Sequence, residues 1–181
     1  MKSLFFSGFS LHGENEIFDK YIINNDVTAC GFSFGTIMLI ENIINGIYEY
    51  DNKTNCKSVK RIDKIQLFSP AYFNNKDEKF KRMQLMFFKK DAKLYGDNFV
   101  KNCGFSDEEK EKYFSLGTYK ELETLLYYEW SYEKMEIIKN KNIKIETYLG
   151  GNDQIIDSRD ALEFFRHFGD VYFIKSANHR L

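Results

Sequence analysis

Short apolar runs alternate with stretches of helical periodicity along this chain of 181 residues. The apolar runs predict five β-strands, at residues 4–7, 27–31, 62–68, 143–149 and 171–175. Apolar residues at helical spacing predict helices between them, at 14–23, 35–50 and 157–168. Because strands that alternate with helices form parallel sheets with right-handed crossovers, we expect an α/β fold with about five parallel strands.

Residues 71–140 interrupt this alternation, since they predict helices and no convincing strand. The longest of these helices is expected at 76–95. Ser106 and Thr118 each stand three residues before a glutamate, which is the spacing of a capping box at the start of a helix. The block is most simply an insertion over the carboxyl ends of the strands, where such sheets bind ligands. We therefore expect a single domain, residues 1–181, with a helical lid at 71–140.

Composition narrows the function classes. The chain has 43% hydrophobic residues, which is enough for a folded core. Its net charge is −1, so the whole molecule lacks the positive electrostatic field that attracts nucleic acid or a membrane. Cys30, Cys56 and Cys103 are an odd number without close pairs, which argues against a disulfide framework and a zinc site. The first apolar run is too short for a signal peptide, and no run approaches the roughly 18 residues of a membrane span. We expect a cytoplasmic protein with reduced thiols and leave its oligomeric state open.

The segment Gly31-Phe32-Ser33-Phe34-Gly35 lies between a predicted strand and a predicted helix. Gly-x-Ser-x-Gly in this context is typical of a tight turn that presents a nucleophilic serine above a sheet. The glycines leave room for neighbouring backbone, and the helix points its amino end at the serine. Chance alone produces such a match roughly 0.06 times in a chain of this length. The sequence therefore predicts Ser33 as a nucleophile.

A nucleophilic serine needs a histidine base, and the chain has three histidines. In enzymes with this turn the acid and then the histidine follow the serine, each at the end of a strand. His12 precedes Ser33, and His167 lies inside a predicted helix. His179 follows the last predicted strand, so chain order and loop context select His179, although a frayed terminal histidine is the competing interpretation.

The acid that orients the base should follow the fourth predicted strand, where Asp153 and Asp157 are the candidates. Asp153 lies in the tight turn directly after the strand. Asp157 is placed to cap the next helix, with Ser158 as the competing cap. We therefore prefer Asp153.

The oxyanion of an acyl-transfer reaction needs two backbone N–H groups. One is expected from Phe34, directly after the nucleophile. The other is expected from Phe9, in the loop after the first strand, where Gly8 lets the backbone approach closely. His12-Gly13 imitates the His-Gly pair often found in this loop, but it lies too far from the strand end.

Further segments extend this pattern along the chain, namely Phe5–Phe9, Leu67–Pro70, Phe80–Leu85, Tyr95–Phe99, Asp153–Ile155 and Asn178-His179. With them the chain resembles, nearly end to end, the short pimeloyl-acyl-carrier-protein methyl ester esterases of biotin synthesis, the BioV type. The Gly-x-Ser-x-Gly segment alone identifies only a hydrolase. The middle segments and the short length make the resemblance specific.

The resemblance implies a trimmed α/β-hydrolase fold and hydrolysis of the methyl ester of pimeloyl-acyl-carrier protein. It assigns Ser33 as nucleophile, Asp153 as acid and His179 as base. Phe34 stands where methionine or leucine is common, which changes the pocket wall but leaves the backbone N–H. No metal or organic cofactor is implied, and the expected partner is an acyl-carrier protein.

An apolar seven-carbon acyl chain needs an apolar channel, and the predicted lid is rich in apolar side chains. Most of them are equally explained as the core of the lid. The candidates are Phe80, Met83, Leu85, Met86, Phe87, Phe88, Phe99, Phe105, Tyr113, Phe114, Leu125, Leu126, Tyr127, Tyr128 and Trp130.

Acyl-carrier proteins are acidic, so a nearly neutral enzyme needs a local basic patch to bind one. Residues 76–93 hold seven basic and three acidic residues, a net charge of +4. On a single helix five of the basic residues would share an arc of roughly 100°, interrupted by Met86. We predict docking on this basic stripe, with Arg82 as the main anchor, against the alternative of a merely solvated face; its members are Lys79, Arg82, Lys89, Lys90 and Lys93.

Polar residues alternate with apolar ones in the third and fourth predicted strands, unlike strands that are covered on both faces. We therefore expect one sheet face to be incompletely covered, or covered by a partner subunit, with four side chains exposed there: Lys64, Gln66, Lys144 and Glu146. For the activity, a thioesterase and a short-chain carboxylesterase are the nearest alternatives, because fold and triad do not define the substrate. An inactive hydrolase fold that serves as a binding module is the alternative from another class.

Overall fold

The computed structural model describes residues 3–46, 48–51, 56–59 and 61–181. The strands in these ranges are β1 (Leu4–Phe6), β2 (Thr28–Phe32), β3 (Tyr48–Asp51), β4 (Cys56–Val59), β5 (Lys64–Phe68), β6 (Lys144–Gly150) and β7 (Asp170–Ile174). One sheet has the order β1-β2-β5-β6-β7, and every neighbouring pair in it is parallel. The five predicted strands and their parallel pairing are confirmed.

The helices are α1 (Phe34–Ile44), α2 (Glu78–Lys90), α3 (Ala92–Asn102), α4 (Asp107–Tyr113), α5 (Tyr119–Tyr127), α6 (Tyr132–Asn140) and α7 (Ser158–Phe165). Helices α2 to α6, here called the inserted helices, all lie between β5 and β6 in the chain. Ser106 and Thr118 begin α4 and α5 with capping boxes, as predicted. None of the helices in the described ranges is long and apolar enough to cross a membrane.

The helices predicted at 14–23, 35–50 and 157–168 all end earlier than expected, at Phe18, Ile44 and Phe165. The helix predicted at 35–50 ends at Ile44, because Gly46 takes a left-handed conformation at φ 83° that stops it. The chain then forms the antiparallel pair β3 and β4, which the pattern did not reveal; residue 47 lies outside the described ranges.

The helix predicted at 76–95 breaks at Asp91. The Asp91 backbone is extended, its N–H donates to the Phe87 carbonyl at the end of α2, and its carboxylate accepts the Leu94 N–H at the start of α3. One aspartate therefore ends one helix and caps the next. As a consequence Lys93 lies on α3, and the basic stripe spans two helices instead of one.

The sheet face predicted to be open is covered by the chain between β1 and β2. The helix predicted at 14–23 is only a 3-10 helix at Glu14–Phe18, and the Phe18 ring stacks on Phe68 with centroids 4.7 Å apart. Gln66 beneath it is fully buried, with hydrogen bonds to the backbone of Tyr21 and Ile23. The expectation of an exposed face is therefore wrong at two of its four residues.

Gln66 and Glu146 are the two that are buried, whereas Lys64 is half-buried and Lys144 is exposed. Glu146 accepts hydrogen bonds from Gln66, Lys64 and Tyr148. The alternation of polar residues thus marks a satisfied polar network under a covering segment, and buried polar groups are stable when they are paired in this way.

The opposite face of the sheet carries helices. Helix α1 packs against β2 and α6, and α7 packs against β6 and β7. Trp130, between α5 and α6, joins this layer: its ring meets Phe165 with centroids 5.0 Å apart, and its indole N–H donates to the Ala71 carbonyl. The apolar core is continuous from this layer through the sheet to the inserted helices.

Candidate active site

Ser33 stands on the tight turn that joins β2 to α1. Its backbone adopts φ 50° and ψ −114°, a strained conformation for a residue with a side chain. The turn requires the glycines around it: a Cβ on Gly35 would lie 2.0 Å from the Phe6 carbonyl oxygen, and one on Gly31 would lie 2.7 Å from the Gly35 carbonyl oxygen. Close packing of the turn against β1 therefore explains Gly35, and close approach of the turn's own backbone explains Gly31.

His179 and Asp153 complete a hydrogen-bonded line with Ser33. His179 Nε2 lies 2.9 Å from Ser33 Oγ, and His179 Nδ1 lies 2.6 Å from Asp153 Oδ2. All three side chains are buried. Because a carboxylate only accepts, Nδ1 carries the proton and Nε2 faces the serine hydroxyl as an acceptor. The structure thus brings together the three residues that the sequence selected for the triad.

Asp153 and Asp157, the two candidate acids, have different partners. Asp153 Oδ1 accepts the backbone N–H groups of Ile155 at 2.7 Å and Ile156 at 3.1 Å, which orients its second oxygen towards His179. Asp157 instead accepts the N–H groups of the first turn of α7 and acts as its cap. This arrangement favours Asp153, as the sequence analysis did.

The amides of Phe9 and Phe34 lie on the two segments that meet at the turn. Phe34 is the first residue of α1, whose N–H has no partner within the helix. The Gly8 carbonyl, in the same peptide unit as the Phe9 N–H, accepts the Leu11 N–H at 3.2 Å, and the Gly8 N–H donates to Glu14 Oε1 at 2.7 Å. Among the described residues, neither the Phe9 nor the Phe34 amide has a protein acceptor.

Two other histidines and two buried cysteines take no part in this hydrogen-bonded line. His12 is exposed, and its backbone N–H donates to the Tyr113 carbonyl. His167 is exposed beside the ring of Tyr132. Burial raises the pKa of the Cys30 thiol to about 12 and that of Cys103 well above its usual range, so both remain protonated and unreactive.

Glu14 and Arg180 are residues beside the site that sequence reasoning missed. Glu14 is fully buried next to Gly8, and burial raises its pKa although the Gly8 N–H hydrogen bond opposes the shift. Arg180, directly after His179, reaches the turn between α3 and α4. Neither residue belongs to a motif. Arg180 contacts residues more than 70 positions away in the chain, and Glu14 contacts Gly8 in a loop whose spacing follows no pattern.

A groove of about 630 Å³ runs between α2 and α3 and ends at the loop after β6. This α2–α3 groove is defined here by Phe80, Gln84, Phe87 and Lys90 of α2, Leu94, Asn98, Phe99 and Asn102 of α3, Leu126 of α5, and Ile155. Two of its residues contact the site: the Phe99 ring meets the Phe9 ring with centroids 5.3 Å apart, and the Ile155 N–H donates to Asp153.

Of the apolar lid residues predicted for a channel, Phe80, Phe87, Phe99 and Leu126 line this groove. Met83, Met86 and Tyr127 are exposed, and Phe114 is half-buried. The others are buried in the core, namely Leu85, Phe88, Phe105, Tyr113, Leu125, Tyr128 and Trp130. The core interpretation therefore holds for about half of the set.

The basic stripe is exposed along its whole length, at Lys79, Arg82, Lys89, Lys90 and Lys93. Arg82 Nε donates to Glu78 Oε1 at 2.7 Å, and the Lys89 ammonium lies over the Tyr119 ring. The Tyr127 hydroxyl and Arg82 together hold the pKa of Glu78 below its usual value. The stripe is thus an exposed and partly paired cationic surface.

Comparisons with known proteins identify the fold. No family model and no curated protein matches the chain by sequence. Solved structures do match. An esterase from Exiguobacterium antarcticum matches with a TM-score of 0.61 and 12% identity, over 91% of this chain and 63% of that one. BioG from Haemophilus influenzae matches with a TM-score of 0.56 and 12% identity over 98% of this chain and 88% of that one, and a bromoperoxidase from Bacillus anthracis with a TM-score of 0.61 and 15% identity over 87% of this chain and 62% of that one. The chain spans about six-tenths of the length of two of these three. It has a trimmed α/β-hydrolase fold, as expected.

Proposed function

We propose that the chain is a serine carboxylesterase that hydrolyses the methyl ester of pimeloyl-acyl-carrier protein. The observation that carries the esterase part is the buried line from Ser33 Oγ through His179 to Asp153, with distances of 2.9 and 2.6 Å. These are the contacts that a serine nucleophile, its general base and the orienting acid require.

In the proposed mechanism His179 Nε2 takes the proton of Ser33 as Oγ attacks the ester carbonyl. Asp153 holds the imidazole and stabilises the imidazolium that forms. The N–H groups of Phe9 and Phe34 bind the tetrahedral oxyanion, and Glu14 supports the first of them through Gly8. His179 then gives its proton to the leaving methoxide oxygen, which departs as methanol, and water attacks the acyl-enzyme with His179 again as base.

The α2–α3 groove is the proposed site of the acyl chain and of the arm that carries it. Its walls combine apolar side chains with amides, and it touches the site at Phe9 and Asp153 through Phe99 and Ile155. Ser33 is only 1% exposed, so an ester must displace neighbouring side chains to reach its hydroxyl. Residues 71–140 therefore act as a lid in this proposal.

Charge supports a carrier protein as the partner. With about 100° per residue on α2, Lys79, Arg82, Lys89 and Lys90 share one arc, and the groove residues Phe80 and Phe87 occupy the next arc. Lys90 belongs to both. An acidic protein bound on the basic stripe would hold a tethered acyl chain at the edge of the groove, which a free small ester does not need.

The decisive experiment is mass spectrometry of methyl pimeloyl-acyl-carrier protein before and after incubation with the enzyme. The proposal expects the loss of one methyl group with the thioester intact. Release of the acyl chain from the carrier would identify a thioesterase instead. Turnover of free esters only would identify a carboxylesterase without a carrier, and failure of a fluorophosphonate to label Ser33 would identify a binding module.

A further inference from the structure

The loop that carries His179 is attached to the inserted helices through Arg180. The guanidinium donates from Nε to the Gly104 carbonyl at 2.9 Å and from Nη1 to Glu109 Oε1 at 2.9 Å. The Arg180 backbone N–H donates to the Cys103 carbonyl at 3.1 Å. One residue next to the histidine thus makes three hydrogen bonds to the end of α3 and the start of α4.

The residue on the other side of His179 meets the same turn. Gly104 has φ 98°, and a Cβ there would lie 2.0 Å from Asn178 Nδ2, so the amide side chain packs directly on the glycine. Asn178 Oδ1 also accepts the Arg180 N–H at 3.1 Å. His179 is therefore held on both sides by residues that lie against the turn between α3 and α4.

Glu109 has two functions in this attachment. Its Oε2 accepts the Ser106 N–H in the capping box that begins α4, while Oε1 pairs with Arg180. The ion pair is partly shielded, with side-chain exposures of 33% for Arg180 and 27% for Glu109. Helix α3, which leads into this turn, lines the substrate groove with Phe99 and Asn102.

We propose that Arg180 is a positioning residue that couples the groove helix α3 to the base His179. A displacement of α3 when the groove fills is transmitted through Gly104 and Glu109 to Arg180, and from there to the imidazole. The proposal rests on the proposed esterase function for its kinetic consequence. Because a misplacement of about 1 Å in a catalytic group costs roughly 100-fold in rate, the planar two-point grip of arginine is suited to this task.

The test compares Arg180→Met, Arg180→Lys and Glu109→Gln with the matched control Lys110→Met. Lys110 is also on α4 and pairs with Asp97 of α3 at similar exposure, so its ion pair does not involve the His179 loop. Glutamine at position 109 preserves the capping box. Kinetics with a p-nitrophenyl ester give kcat and KM without a carrier protein. A proton NMR spectrum gives the chemical shift of the buried imidazole N–H between His179 and Asp153.

Arg180→Met should lower kcat by roughly 10- to 100-fold with KM nearly unchanged, and should shift or broaden the imidazole N–H signal. Arg180→Lys should lose less kcat than Arg180→Met, Glu109→Gln should lose least, and the control should keep the wild-type kcat. If Arg180→Met fails to fold, Arg180→Lys and Glu109→Gln test the proposal in its place. A kcat loss no larger than in Lys110→Met, or an unaltered imidazole signal, overturns the proposal. If the wild type hydrolyses no ester, the proposed function fails and the spectra alone decide the role of Arg180.

Discussion

The carboxyl ends of the strands and the α2–α3 groove differ in how completely they are packed. At the strand ends Ser33, Asp153 and His179 are buried and hydrogen-bonded to one another. In the groove apolar side chains stay open to solvent, with Leu94 56% and Phe87 45% exposed. The first region is built before any ligand arrives, whereas the second has unfilled apolar surface that a ligand would cover.

This difference matches two separate tasks. Reaction rates depend on geometry held within fractions of an ångström, which needs locked side chains and fixed backbone. Binding of a long, flexible substrate needs apolar surface that can adapt and be buried on binding. We therefore expect substitutions at the strand ends to change kcat, and substitutions on α2 and α3 to change substrate preference and KM.

The largest expected effect is at the triad. Ser33→Ala and His179→Ala should each lower kcat by roughly 10⁴-fold or more, because serine and histidine act as one unit. The double variant should be hardly worse than either single one. Turnover of p-nitrophenyl butyrate measures this, and circular dichroism checks the fold. Independent, multiplicative losses in the double variant would show that the two residues do not act together.

The two aspartates give the next largest contrast. Asp153→Asn should lower kcat by roughly 10³- to 10⁴-fold, because an amide favours the wrong tautomer of His179. Asp157→Asn should leave kcat nearly unchanged, since asparagine is as good a helix cap as aspartate. The same ester assay compares them. A mild Asp153→Asn together with a crippling Asp157→Asn would reverse the assignment of the acid.

Charge reversal on the basic stripe tests the proposed carrier binding. Arg82→Glu with Lys89→Glu should raise KM for the carrier-bound methyl ester by about 10-fold at low salt, with a smaller effect at high salt. Turnover of a p-nitrophenyl ester should stay near wild type. A matched control is Lys139→Glu with Lys141→Glu on and after α6, since Lys139 is paired within its helix as Arg82 is.

Two outcomes of that comparison count against docking on the stripe. Equal losses on both substrates would mean that the substitutions damage the inserted helices. No loss on either substrate would mean that the stripe is only solvated surface. Each outcome would remove the basis for proposing that the basic stripe on α2 and α3 binds the carrier protein through its charge.

The smallest expected effect is the pH dependence of stability at Glu14. Burial raises the folded-state pKa of this carboxyl, so its contribution to stability is complete below the unfolded value, about 4.3, and is lost as pH rises through the folded value. Glu14→Gln removes that loss and still accepts the Gly8 N–H. Relative to wild type the variant should therefore gain stability in denaturant titrations as pH rises above the unfolded value. Parallel stability curves would contradict it.

Local patterns in the chain were sufficient for the five strands of the parallel sheet, the serine turn and the two capping boxes, but not for the antiparallel pair β3 and β4. Each of these depends on residues close together in sequence, such as the two glycines that flank Ser33 or the glutamate three residues after Ser106. Chain order then selected Asp153 and His179, which the structure places in one hydrogen-bonded line with Ser33. Periodicity was less reliable at helix ends, because Gly46 and Asp91 stop helices whose apolar spacing continues past them.

Only the tertiary structure decided what lies on each surface. The polar residues Gln66 and Glu146 were expected in solvent but are buried, because the chain around Phe18 and Tyr21 folds across that face from a distance of more than 40 residues. The role of Arg180 and the division of the lid residues between groove and core depend on the same kind of distant contact, whereas Glu14 meets Gly8 across only six residues of a loop without a motif. Alternation and spacing indicate on which side of a strand or helix a residue lies. Whether that side is buried depends on which distant segment of the chain packs against it.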